Sequence, residues 1–118
     1  MYTIRKQFEF SASHCLDQLP DEHPCSRTHG HNYVVVIELR VDVLNKYGFV
    51  LDYRSLSNVK SFIDQELDHR HLNDVMTGHP TAENIAKFIY DTFADELHPF
   101  LRAVEVSETP KTNARYER

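Results

Sequence analysis

Apolar side chains recur at every second position near the start of the chain: Tyr2, Ile4, Phe8, Phe10 and Ala12 share one phase, interrupted only at Lys6. A period of two belongs to a strand with one buried face, so residues 2–14 are predicted to be a strand, and His14 continues its apolar phase. The following stretch, CLDQLPDEHPCSRT, has neither period, carries two prolines and reads as a loop. Alternation resumes with His29, His31, Tyr33, Val35, Ile37, Leu39 and Val41 in one phase, while Glu38, Arg40 and Asp42 mark the wetter face. This is a second strand.

Beyond it, NKYG (Asn45 to Gly48) has the composition of a turn, and FVLD reads as a short third strand in a hairpin with the second. Asp52 is placed to cap a helix, in which Leu56, Val59, Phe62, Ile63 and Leu67 recur at helical spacing over about 15 residues. DHRHLND is polar and irregular. Pro80 and Thr81 open a second helix, striped by Ile85, Phe88, Ile89, Phe93 and Leu97, and Pro99 ends it. In AVEVSET, Val104, Val106 and Glu108 share one face of a last strand, which leaves a carboxylate in line with buried valines. The polar tail KTNARYER reads as a fraying end or a segment laid on a neighbour. Strands joined by hairpins, without βαβ alternation, predict an α+β fold: a four-stranded, largely antiparallel sheet with two helices on one face. Its open edges invite pairing with further subunits.

Composition narrows the possibilities. With 118 residues the chain has apolar sequence for one core, so 1–118 is read as a single domain. A net charge of -5, with no block of Lys or Arg, argues against nucleic acid as a partner. No apolar run approaches the roughly 20 residues of a membrane span, and no basic stretch followed by an apolar one opens the chain. A cytoplasmic protein is expected, with Cys15 and Cys25 reduced. The unusual count is histidine, eight in a short chain.

Two of the eight carry a geometric message. In a strand, His29 and His31 point to the same face about 6.5 to 7 Å apart, close enough to converge on one ion with Zn–N bonds of about 2.0 to 2.1 Å. An isolated His-x-His is ordinarily a pair of strand-end side chains satisfied by backbone or solvent. His14, ending another strand in its own apolar phase, supplies a third imidazole if the two strands are neighbours, and three imidazoles with an open position describe a catalytic zinc site. Such a set also suits iron, nickel or copper. Cys25, in the polar loop, is open to three roles: fourth ligand, nucleophile or base activated by a nearby cation, or inert thiol. Asp68 and His69 follow the first helix, where a histidine ordinarily satisfies carbonyls at a helix end. A relay between adjacent residues requires irregular backbone. Glu108 among valines needs a partner: the two-donor edge of a guanidine-like heterocycle, or an Arg of this chain or a neighbour.

Taken together, FEFSASH, CSRTHGHNY, GFVLDY, LDHRHLN, HPTAENIA and SETPKTNARY resemble, in content and order, the 6-pyruvoyltetrahydropterin synthase and 6-carboxytetrahydropterin synthase family. The resemblance implies that His14, His29 and His31 hold Zn2+, that Cys25 is the catalytic thiol with Asp68 and His69 completing a relay, that Glu108 anchors a pterin ring, and that Thr81 lines its pocket. It also implies the tunnelling fold, in which sheets join into a trimeric barrel and two trimers stack into a homohexamer with active sites between subunits. The implied substrate is 7,8-dihydroneopterin triphosphate. The short chain and compact CxxxHGH spacing look like the branch that forms 6-carboxytetrahydropterin for 7-deazaguanine and queuosine synthesis. A pyruvoyl-forming synthase, a non-catalytic metal- or pterin-binding protein and a zinc hydrolase are the rival readings. Ser107 stands where many relatives carry an aromatic residue; Arg27 and Lys111 are candidates by charge and position to meet a triphosphate, against the more ordinary reading of each as solvated surface charge.

Overall fold

A computed structural model describes residues 1–118. Two long strands dominate it: β1 (Tyr2–His14) and β2 (His29–Val41) pair antiparallel along their whole length, from Tyr2 opposite Val41 to His14 opposite His29. β3 (Leu101–Ser107) pairs with the other edge of β2, and β4 (Ala114–Glu117) with β3, so the sheet order is β1-β2-β3-β4, antiparallel throughout. The α+β class and the four-stranded sheet are as expected. The membership of the sheet is not.

FVLD is not a strand. β2 lies between β1 and β3 and has no edge to offer a hairpin partner. Residues 45–49 instead close on themselves: Asn45 N–H donates to the Phe49 carbonyl at 2.9 Å, and Asn45 Oδ1 accepts from Tyr47 N–H and Phe49 N–H. Gly48 turns the chain at a φ of 84°, a left-handed conformation that glycine adopts without cost. The fourth strand comes from the tail: Arg115 of β4 lies opposite Glu105 of β3, with its guanidinium on the carboxylates of Glu38 and Glu105.

The expected helix is present as a continuous run of helical turns that changes type: a 3-10 turn at Tyr53–Leu56, then α1 (Ser57–Phe62), then a π turn at Ile63–Leu67. Asp52 caps it through Arg54 N–H, as anticipated. α2 (Ala82–Phe93) starts at Thr81, whose hydroxyl accepts from Asn84 N–H. Val59, Ile63 and Leu67 from the first run and Ile85, Ile89 and Phe93 from α2 pack on Phe8, Phe10, Val35, Ile37, Val104 and Val106, which forms one core on one side of the sheet.

The opposite face has its own interior. Glu38 was expected on the wetter side, yet it is 5% exposed and Glu105 8%. Arg5 grips Glu105 with two bonds of 2.8 Å, and Arg115 reaches Glu38 at 2.6 Å and Glu105 at 2.8 Å. Two carboxylates and two guanidiniums thus neutralise one another across four strands. The arginines hold the Glu105 carboxyl at about 2, and they hold Glu38 below its ordinary range as well.

Candidate metal centre and relay

Because β1 and β2 are neighbours, their ends bring His14 and His29 face to face, and the period of two adds His31 on the same side. The ligand nitrogens of His14, His29 and His31 all lie within 4.8 Å of one another. His14 Nδ1–H donates to the Pro80 carbonyl at 2.7 Å, and His29 Nδ1–H donates to the Arg27 carbonyl at 2.8 Å. A carbonyl only accepts, so both protons are fixed on Nδ1 and both Nε2 atoms present lone pairs. Those two Nε2 atoms are 3.0 Å apart. Two lone pairs aimed at each other repel unless a cation or proton lies between them, so this donor set fits a metal of the zinc class. Burial holds His14 below the usual histidine range, which favours its neutral, metal-binding form.

Glu108 joins this group. β3 ends at Ser107, and the Glu108 carboxylate turns towards the imidazoles, with Oε2 2.9 Å from His31 Nε2 and 3.4 Å from His14 Nε2. Of the partners expected for it, no Arg of this chain is bound to it. Thr81 is at the N-terminus of α2, beside the Pro80 carbonyl that orients His14.

Cys25 sits in a 3-10 turn, Pro24–Ser26. Its carbonyl accepts from Leu16 N–H at 2.9 Å, tying the turn to the chain just past His14, and its N–H donates to His23 Nδ1 at 3.1 Å. The thiol is half-buried and free of any disulfide, as is Cys15.

Asp68 and His69, which the resemblance implied as a pair, are hydrogen-bonded to each other. His69 Nδ1 lies 2.8 Å from Asp68 Oδ2, and the irregular backbone is visible in the φ of 59° at His69. The segment is laid along the outer edge of β1: Ser11 N–H donates to Asp68 Oδ1, His69 N–H to the Ser11 carbonyl and Ser13 N–H to the Arg70 carbonyl. Ser11 N–H and the His69 ring keep the Asp68 carboxyl below its ordinary value. The His69 side chain is 83% exposed and bonds neither Cys25 nor a metal-site histidine of its own chain. A cleft of about 490 Å³ adjoins it, lined by Ser11, Ser13, Asn32, Arg70 and His71. His71 Nδ1 meets Ser13 Oγ there at 2.9 Å.

The carbonyls of Arg27 and Pro80 are the functional groups that the sequence did not reveal. Nothing in a residue's identity marks its backbone oxygen, although the closeness of Arg27 to His29 and of Pro80 to the start of α2 was visible.

The description "6-pyruvoyl tetrahydropterin synthase" belongs to the family whose sequence pattern matches residues 3–118. The chain belongs to this family. Among its relatives, a 6-carboxy-5,6,7,8-tetrahydropterin synthase of Synechocystis sp. is 36% identical over 98% of this chain and 93% of the relative. A 6-pyruvoyl tetrahydrobiopterin synthase of Dictyostelium discoideum is 34% identical, covering 85% of this chain and 84% of that protein. The solved 6-pyruvoyl tetrahydropterin synthase of Caenorhabditis elegans superposes with a TM-score of 0.86 at 28% identity, over 99% of this chain and 95% of that one. The fold is that of the 6-pyruvoyl tetrahydropterin synthases, and the family places the chain among the pterin synthases.

Proposed function

We propose that the protein is a zinc-dependent lyase that converts 7,8-dihydroneopterin triphosphate to 6-carboxy-5,6,7,8-tetrahydropterin, with release of acetaldehyde and triphosphate, in 7-deazaguanine and queuosine synthesis. The observation that carries this proposal is the set of inward-facing Nε2 lone pairs, locked by carbonyls, in a chain of this family. His14, His29 and His31 would hold the ion, which would supply Lewis acidity towards the side-chain oxygens of the substrate.

The remaining chemistry belongs to the protein's own groups. Cys25 Sγ takes a proton from the side-chain carbon and His69 moves protons at the opposite side, each contributing about 10² to 10⁴ in rate. Asp68 fixes the His69 imidazole through Nδ1 and stabilises its cationic form. Glu108 receives the two-donor edge of the pterin, and Thr81 lines the pocket. Loss of triphosphate alone leaves a pyruvoyl side chain. Addition of water and cleavage of the carbon-carbon bond leave the carboxylate on the ring and release the outer two carbons as acetaldehyde.

Within one chain the exposed His69 hangs on the outer edge of β1, without a bond to Cys25. That exposure supports a reading in which the relay meets the thiol of a second copy, in a homohexamer built of two trimers with active sites between subunits. The name of the Synechocystis relative supports the carboxy product, and that of the Dictyostelium relative supports the pyruvoyl product as the second reading. Mass spectrometry of the zinc-loaded protein with 7,8-dihydroneopterin triphosphate, with acetaldehyde trapped, decides between them. Acetaldehyde in step with carboxytetrahydropterin is expected, and a pyruvoyl product without acetaldehyde would move the protein to the other branch.

A further inference from the structure

Ser11 and Ser13 alternate along β1 with Phe10, Ala12 and His14, so their side chains point away from the core and from the metal nitrogens. They open into the cleft of about 490 Å³ beside His69, which Asn32, Arg70 and His71 help to line. The chain carries 18 Asp and Glu against 13 Lys and Arg, yet none of the nine residues around this cleft is acidic. Its hydrogen bonds leave donors over. Ser11 Oγ–H donates to Asn32 Oδ1 at 2.6 Å, which occupies the amide's acceptor and leaves both Nδ2 hydrogens free. Ser13 Oγ and His71 Nδ1 share one bond of 2.9 Å, and whichever of them donates it, the pair keeps one further N–H or O–H. Arg70 gives one Nη2 hydrogen to the Gln65 carbonyl at 2.9 Å, and the residue is otherwise exposed. Spare donors around a permanent cation, with no carboxylate among the lining groups, fit an anion that carries several oxygens.

We propose that this cleft is a polyphosphate site, in which Arg70, Asn32 and the Ser13–His71 pair hold the triphosphate of the substrate while His69 works on the side chain that bears it. The proposal rests on the functional reading above and extends it to the leaving group. On that reading His69 stands at the reacting side-chain carbons, and the phosphate chain begins on the next carbon. It emerges beside the residues that flank His69 in sequence and in space.

Calorimetric titration of the zinc-loaded full chain with inorganic tripolyphosphate tests the site without reference to turnover, in a range where elemental analysis shows the zinc retained. Wild type should bind, and Arg70→Gln should weaken binding by about tenfold or more, with Arg70→Lys recovering part of the loss. His71→Phe, which keeps a ring and removes its nitrogens, should weaken it to a lesser degree. Circular dichroism checks that the variants fold. 7,8-Dihydroneopterin, which has the ring and hydroxyls but no phosphate, should bind all of these proteins alike, as read by its fluorescence. In turnover, Arg70→Gln should raise KM for the triphosphate by about tenfold with a smaller change in kcat. Unchanged tripolyphosphate affinity in both Arg70→Gln and His71→Phe, or an equal loss of affinity for dihydroneopterin, would overturn the site. A fall in kcat at constant KM would overturn it too, since Arg70 would then act only by positioning His69. Arg70-dependent binding of tripolyphosphate by a chain that neither binds nor turns over the pterin would break the functional reading and leave the anion site standing.

Discussion

Glu105→Gln tests the charge cluster on the face of the sheet away from the helices. The Glu105 carboxyl sits at about 2 against an ordinary 4.5, because Arg5 and Arg115 bind the charged form more strongly than burial penalises it. A difference of that size, at ~1.4 kcal/mol per pKa unit, corresponds to roughly 3 kcal/mol of native-state stability. The Arg5 side chain is 46% exposed, so solvent screens part of the attraction and ~2 to 3 kcal/mol is the expected loss. The sign follows from the depressed value. The contribution is complete above pH 4.5, declines as the pH falls towards 2, and is gone below that. Urea unfolding of wild type and variant should therefore differ in midpoint by ~1 to 2 M near neutrality, for a slope of ~1 to 3 kcal/mol per molar. The gap should shrink as the pH is lowered from 5 towards 2.5. A gap that stays constant over that range would show that shape, rather than charge, gives Glu105 its value.

Further outcomes follow from the site. His29→Asn should reduce bound zinc, measured by elemental analysis, from about one ion per chain to a small fraction, since two nitrogens hold zinc poorly; full occupancy would remove His29 from the ligand set. Cys25→Ala should keep its zinc and lose turnover by about 10² or more, whereas simultaneous loss of zinc would make the thiol a ligand. Cys25→Ala and His69→Ala, each inactive alone, should regain about a quarter of wild-type activity when co-assembled at random, because a site between two chains then sometimes receives both intact groups. No recovery would place thiol and relay in one chain.

The strands that carry the histidines were legible because a period of two survives without knowledge of the partner strand: His14, His29 and His31 hold the phase of Phe10 and Tyr33, and the register preserves it. FVLD and ARYE were misassigned because strand propensity says nothing about whether an edge is free. The apolar segment met a central strand already paired on both sides, while the polar one was recruited by Glu38 and Glu105 through Arg115. Glu38 reads as solvated for the same reason, since its partner is 77 residues away in sequence. Asp68 and His69 could be named as a pair, but their geometry depends on main-chain bonds to Ser11 that no local pattern encodes.

The segment that carries Asp68 and His69 also changes what the edge of β1 can accept. The main-chain groups of Ser11 and the N–H of Ser13 are taken by residues 68–70, and Ser13 and His71 form a parallel bridge. Alternation along the strand leaves those of Thr3, Arg5, Gln7 and Glu9 facing outward and unclaimed. A strand that zips onto this edge can slide only until it strikes Asp68. Residues 68–70 are thus a doorstop on the edge of β1, and on the function proposed above they would stop an incoming strand at the place where His69 would meet a neighbour's thiol.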